Sequence, residues 1–280
     1  MRTFVSAVAT LLAVLLAAVA VPAIWLERTI VQEEGFVGLA APLGTNAEFQ
    51  QRLAAAAVGT IDTSAVPGIV SELVKPVLAD AATSLTSLPG YPAAWEETLR
   101  KSHRLSFAVS GPDAGTPSTL TLDVAPLVSL ATGEVSRAIG IPLAPPAETL
   151  ISVGQPQQKE LTERLATFAP VAYLLAIGSA VALLLALVAA RRKWTVLAAA
   201  GVGALLLAGL WAVGTGVGSA MALGTDTGND LGNLFRDEFV PAAAASFQSW
   251  AGVTAVVGGV LLLAGVVAGV SSRRRAQPNR

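Results

Sequence analysis

Cysteine is absent and histidine occurs once, at His103. The first absence excludes disulfides, thiolate nucleophiles and cysteine-ligated metals. The second leaves a histidine relay with a single available member. Charge is scarce as well: 13% of the 280 residues carry it, about half the share usual in soluble domains. The 18 basic and 19 acidic side chains nearly cancel, which gives no reason to expect nucleic acid as a partner. No Gly-x-Ser-x-Gly elbow, Ser-x-x-Lys, His-Glu-x-x-His or phosphate loop occurs. No metal and no cofactor are expected.

Apolar side chains are abundant. They make up 53% of the chain, with a mean hydropathy of +0.63, and they gather in long runs. Residues 168–190 and 194–217 are uncharged and separated only by Arg191, Arg192 and Lys193. A hydrocarbon core needs about 20 apolar residues per helix, so each run can span it. The three cations must then mark a tight turn at one face, the cytoplasmic one. Residues 3–26 form another uncharged run, longer than a signal-peptide core, so a retained first helix is favoured over cleavage after Ala18-Val19-Ala20. A fourth run, 250–270, ends at Arg273, Arg274 and Arg275. With both termini inside, the inside segments hold only basic residues and every Asp and Glu falls outside. That is the distribution the positive-inside rule expects.

Between the first two spans, residues 27–167 bring charges, prolines and turn signals, enough chain for one domain. Thr45 and Glu48 fit a capping box opening a helix that carries Phe49 and Leu53. A second helix is expected over 66–84, kinked at Pro76. A third opens at Pro92 and carries Trp95, Leu99 and His103 at i, i+4 and i+8. The period then switches to two. Residues 105–110 and 119–124 alternate around a Gly/Pro-rich connection and predict a β-hairpin. A short helix follows Pro126, then Pro142, Pro145 and Pro146 break the chain. A third strand is expected over 150–153 and a helix over 157–167. The fold class is thus an α-helical membrane protein with four transmembrane helices and a mostly helical α+β extracytoplasmic domain containing a β-hairpin. The outer loop, 218–249, should hold a short amphipathic helix with Leu231, Leu234, Phe235 and Phe239 on one face, lying on the membrane or on the large domain.

Few residues invite chemistry. His103, with Asp123, Glu96 and Glu97, is the natural acid/base candidate, and Trp95 shares its helix face. The competing reading, that His103 packs and hydrogen-bonds within the domain, is preferred. Asp226-Thr227-Gly228-Asn229-Asp230 lacks the spacing of a calcium loop and reads as a turn. Gly214 with Gly218, and Gly265 with Gly269, form Gly-x-x-x-Gly pairs suited to close helix packing, within this chain or with another subunit. The spans contain no ionisable residue, which counts against a pump.

Phe36-Val37, Pro42-Leu43, the helix from Asn46, the Trp95–His103 spacing and Leu120-Thr121-Leu122-Asp123 leading to Pro126-Leu127 together carry a resemblance. In these the chain resembles a set of uncharacterised actinobacterial integral membrane proteins, over most of 25–190. It departs from them at Glu33-Glu34-Gly35, where a Thr-Asp pair is usual. The resemblance implies architecture and location, in a bacterial plasma membrane, and no activity. The expected function is that of a non-enzymatic cell-envelope protein whose outer domain binds a partner protein, cell wall or lipid. The alternatives are an outer hydrolase or transferase using Asp and Glu, and a transporter accessory subunit. Expected partners are the lipid bilayer, with a membrane or envelope protein and a second copy of the chain both left open.

Overall fold

A computed structural model describes residues 1–59, 84–107, 121–140, 142, 144, 147–152, 171–228 and 230–275. The expected helices over 66–84 and 157–167, the Pro76 kink and the loop after Ser110 lie outside the described residues. The chain divides into two compact units: residues 1–28, 167–221 and 243–280 form one, and 29–166 with 222–242 the other.

The first unit is a helical bundle. Its helices are α1 (Arg2–Leu26), α6 (Val171–Ala189), α7 (Lys193–Leu223) and most of α8 (Asp230–Arg275). Four segments are long and apolar enough to cross a membrane: Arg2–Val31, Val171–Ala189, Lys193–Leu223 and Gly232–Ser272. Their outward faces carry Leu12, Leu15, Leu184, Leu206 and Leu263 exposed, a surface that suits hydrocarbon and would be costly in water. Arg191 and Arg192 are exposed in the bend between α6 and α7, and Lys193 opens α7.

Lipid gives helices no hydrophobic reason to associate, so packing and polar bonds must hold them. On α1 and α6, Ser6 Oγ donates to the Ala186 carbonyl at 3.0 Å and Ser179 Oγ to that of Ala13 at 2.8 Å. These pairings run antiparallel. On α7 and α8, small residues let the backbones touch. A Cβ on Gly201 would stand 2.5 Å from the Leu262 nitrogen and 2.6 Å from the Gly258 oxygen. One on Gly265 would stand 2.6 Å from the Ala198 nitrogen, and one on Gly269 3.1 Å from the Trp194 ring. At Gly214 and Gly218 a Cβ would meet nothing within 4 Å among the described residues, so no described helix packs on that pair.

Two boundaries differ from expectation. Helix α7 continues to Leu223 rather than ending near 217. The amphipathic segment and the fourth span are one helix, α8, which continues through Pro241. At about 1.5 Å per residue α8 measures about 69 Å, more than twice a hydrocarbon core, so its charged first turns need not enter lipid.

The second unit contains α2 (Glu33–Ala40), α3 (Ala47–Gly59), α4 (Tyr91–Phe107), β1 (Thr121–Asp123), α5 (Ala125–Ile139) and β2 (Leu150–Ser152). Phe49, Leu53, Trp95, Leu99, Leu127, Val128 and Leu234 make its core. Trp95 sits edge-on to Phe49 at 5.3 Å, and its Nε1 donates to the carbonyls of Ala40 and Ala41 at 3.3 and 3.2 Å. A Cβ on Gly44 would run into the Trp95 indole, so the indole requires glycine there. Leu234 joins this core, with Phe235 and Phe239 against it, so the amphipathic face packs on protein.

The β-hairpin is corrected. Leu105, Ser106 and Phe107 finish α4, because Phe107 extends the Leu99–His103 stripe by another i+4 step. Instead β1 pairs antiparallel with β2, in register Leu122 to Ile151, across the intervening α5. The cap of α3 is also corrected. Asn46, not Thr45, accepts from the nitrogens of Glu48 and Phe49 at 3.0 and 3.1 Å, while Thr45 Oγ1 donates back to the Pro42 carbonyl.

Candidate functional site

Helix α4 sets the site, because its buried face changes character along its length. Trp95 and Leu99 fill the core, and two turns after Trp95, His103 reaches a cavity of about 640 Å³ within the second unit. That size lies within the range of small-molecule sites. Five aromatic rings, those of Phe36, His103, Phe107, Phe235 and Phe239, stand in its walls. The His103 ring stacks on Phe107 at 4.3 Å and lies 5.2 Å from Phe36. Phe36 meets Phe239 at 5.6 Å, and Phe239 stacks on Phe235 at 5.2 Å. Ser102, Ser106, Thr227 and Arg236 add polar groups to the lining.

His103 is buried, with Nε2 3.0 Å from the Ile30 carbonyl oxygen. A carbonyl only accepts, so Nε2 carries the proton and Nδ1 is the acceptor of the neutral ring. Burial holds the imidazole below its ordinary value, against the Ile30 carbonyl and the Glu33 carboxylate, which pull the other way. The ring is therefore neutral at pH 7.

Arg236 is the one cation among the described lining residues, and its charge is already engaged. Nε and Nη2 donate to Asp237 Oδ1 at 2.9 and 2.6 Å, and Nη1 donates to Asn233 Oδ1 at 3.0 Å and to the Thr225 carbonyl. Asn233 in turn accepts from the Thr227 nitrogen and donates to Asp226 Oδ1, both at 2.9 Å. The Asp226 carboxyl is held below its ordinary range by the Gly228 N–H, then by Asn233 and the nearby Arg236. Asp226 thus closes a turn on its own chain, with Gly228 at φ +90°.

The sequence placed His103 with Asp123, Glu96 and Glu97. The structure puts Asp123 elsewhere, on a separate polar cavity of about 220 Å³ with Lys101 and Glu148. Buried Asp123 is a structural hub. Its Oδ1 accepts from the nitrogens of Ala125 and Thr149, each at 3.0 Å, and its own nitrogen donates to Ser102 Oγ at 2.9 Å. Lys101 Nζ stands 3.8 Å from Oδ2. Glu96 and Glu97 pair with Arg100 and Arg104 on the exposed face of α4. Trp95 stays in the core. No group of three or more metal-ligating side chains occurs among the described residues.

Sequence reasoning missed Phe107, Ser106 and Arg236 as lining residues. Phe107 had a signal, the i+4 step from His103. The long-range meeting of Phe36 with Phe239 had none. No protein-family model, curated protein or solved structure matches this chain.

Proposed function

We propose that this chain is a plasma-membrane protein of the bacterial envelope, with four spans, both termini inside and residues 27–167 outside. The outer domain acts as a non-enzymatic binding module, and the cavity beside His103 receives an apolar ligand drawn from the membrane. One observation supports this most: five aromatic rings stand in the cavity walls, and the protein itself already engages its most polar groups, His103, Ser102 and Arg236. General acid/base work would need a second group converging on His103, and Asp123 is committed to the β1–α5 junction.

The orientation rests on charge, since all the inside segments are basic. A transport role has less support. The cavity of about 270 Å³ within the helical bundle is apolar apart from Ser179 and Thr254, which donate to the Ala13 and Trp250 carbonyls. Such a space stays dry.

Native mass spectrometry of protein extracted from its own membranes tests the binding role. A lipid-sized adduct on the wild type, lost in Ser106→Phe, is expected. Protein that is uniformly ligand-free, or an adduct indifferent to Ser106→Phe, would refute it.

A further inference from the structure

The charge around the cavity narrows the ligand, given the reading that the cavity binds one. Arg236 would ordinarily mark an anion site. Here Asp237 takes two of its N–H groups, and Asp226 stands near enough for the two charges to be felt. One guanidinium between two carboxylates leaves the rim short of positive charge. Four of the five N–H groups that Arg236 owns are already donated, which leaves one for an anion. His103 adds no charge, because its ring is held neutral. Burying an anion beside these groups would leave it without a counter-charge, which is costly.

What the lining does offer is aromatic surface, the Ser106 hydroxyl and the acceptor nitrogen of a neutral imidazole. A hydroxyl or carbonyl can be satisfied by such groups and a charge cannot. The lining also draws on the ends of three segments long and apolar enough to cross a membrane. Ile30 falls within Arg2–Val31, Ala222 within Lys193–Leu223, and Phe235 and Phe239 within Gly232–Ser272. A ligand dissolved in the bilayer is therefore favoured over one from water.

We propose that the cavity takes an uncharged single-chain lipid, an acyl or isoprenoid chain ending in a hydroxyl or carbonyl, and discriminates against the same chain bearing an anionic head. Discrimination comes from the compensated Arg236 and not from the walls, which would accept either chain. Swapping a satisfied neutral head for an uncompensated charge should weaken binding at least about tenfold.

Full-length protein in nanodiscs, titrated with radiolabelled hexadecanol and with radiolabelled hexadecyl phosphate, tests this. Hexadecanol should bind saturably and at least about tenfold more tightly, and Ser106→Phe should abolish that binding. If Ser106→Phe fails to fold, the comparison of the two probes on the wild type decides alone. Phosphate binding as tight as that of the alcohol would overturn the discrimination and leave the binding role intact. Saturable binding of neither probe would overturn both.

Discussion

The two units of this chain solve the packing problem with opposite materials. The helical bundle is joined by what its residues lack: Gly201, Gly258 and Gly265 let α7 and α8 meet backbone to backbone, and hydroxyls of Ser6 and Ser179 bond across to carbonyls. The other unit is joined by bulk, with Trp95, Phe49, Leu99 and Leu127 filling one core. The contrast fits the solvents proposed for the two units. Water drives large apolar side chains together, whereas lipid rewards only contact and hydrogen bonding. Adding a side chain should therefore damage the bundle, and removing one should damage the core.

The largest effect expected is in the core. Phe49→Ala, at a fully buried ring, should cost about 3–5 kcal/mol, read as a lower midpoint in denaturant for the second unit. In the bundle the reverse change is the harmful one. Gly201→Leu should cost about 3 kcal/mol, measured as lost monodisperse yield and lower thermal stability in detergent. Gly214→Leu and Gly218→Leu should stay within about 0.5 kcal/mol of wild type, because nothing described faces them. Equal damage at 201 and 214 would break the comparison.

Next comes Asp123→Ala, which leaves the nitrogens of Ala125 and Thr149 without their acceptor. A loss of about 1–3 kcal/mol is expected. Ser179→Ala tests the lipid-side hydrogen bonds and should cost only about 0.6 kcal/mol.

The smallest effect is a pH dependence. The His103 pKa is lowered in the folded protein, so the unfolded chain binds more protons around pH 6. Stability from this group is present above its ordinary value of 6.5 and is lost as pH falls below it. Thermal midpoints should show that slope in wild type and less of it in His103→Gln. Because His103 lines the cavity, His103→Ala should also weaken hexadecanol binding; unchanged binding in a stably folded His103→Ala protein would take the ring out of the ligand site.

Legibility in the sequence followed the range of the interaction. Helix α4 was readable because Pro92 and the Trp95, Leu99, His103 spacing are local signals. The alternation of Leu105, Phe107 and Val109 was misleading, since Leu105 and Phe107 also fit a continuing helix and Phe107 falls on its buried face. The pairing of β1 with β2 joins segments separated by a whole helix and leaves no turn signature. Gly-x-x-x-Gly pairs mark where backbones are able to approach, but not which face has a neighbour. Gly265 and Gly269 have one among the described residues; Gly214 and Gly218 do not. The cavity was least legible of all, because Phe36, Phe107 and Phe239 meet only in three dimensions.

The proposed arrangement stands the glycine-packed unit in lipid and the aromatic-cored unit in water outside the cell. Because the chain has no native cysteine, single-cysteine labelling tests it directly. Glu48 and Arg192 are both exposed. A membrane-impermeant maleimide applied to intact cells should label Glu48→Cys at once and Arg192→Cys only after lysis. Labelling of Arg192→Cys in intact cells, with Glu48→Cys protected until lysis, would contradict it.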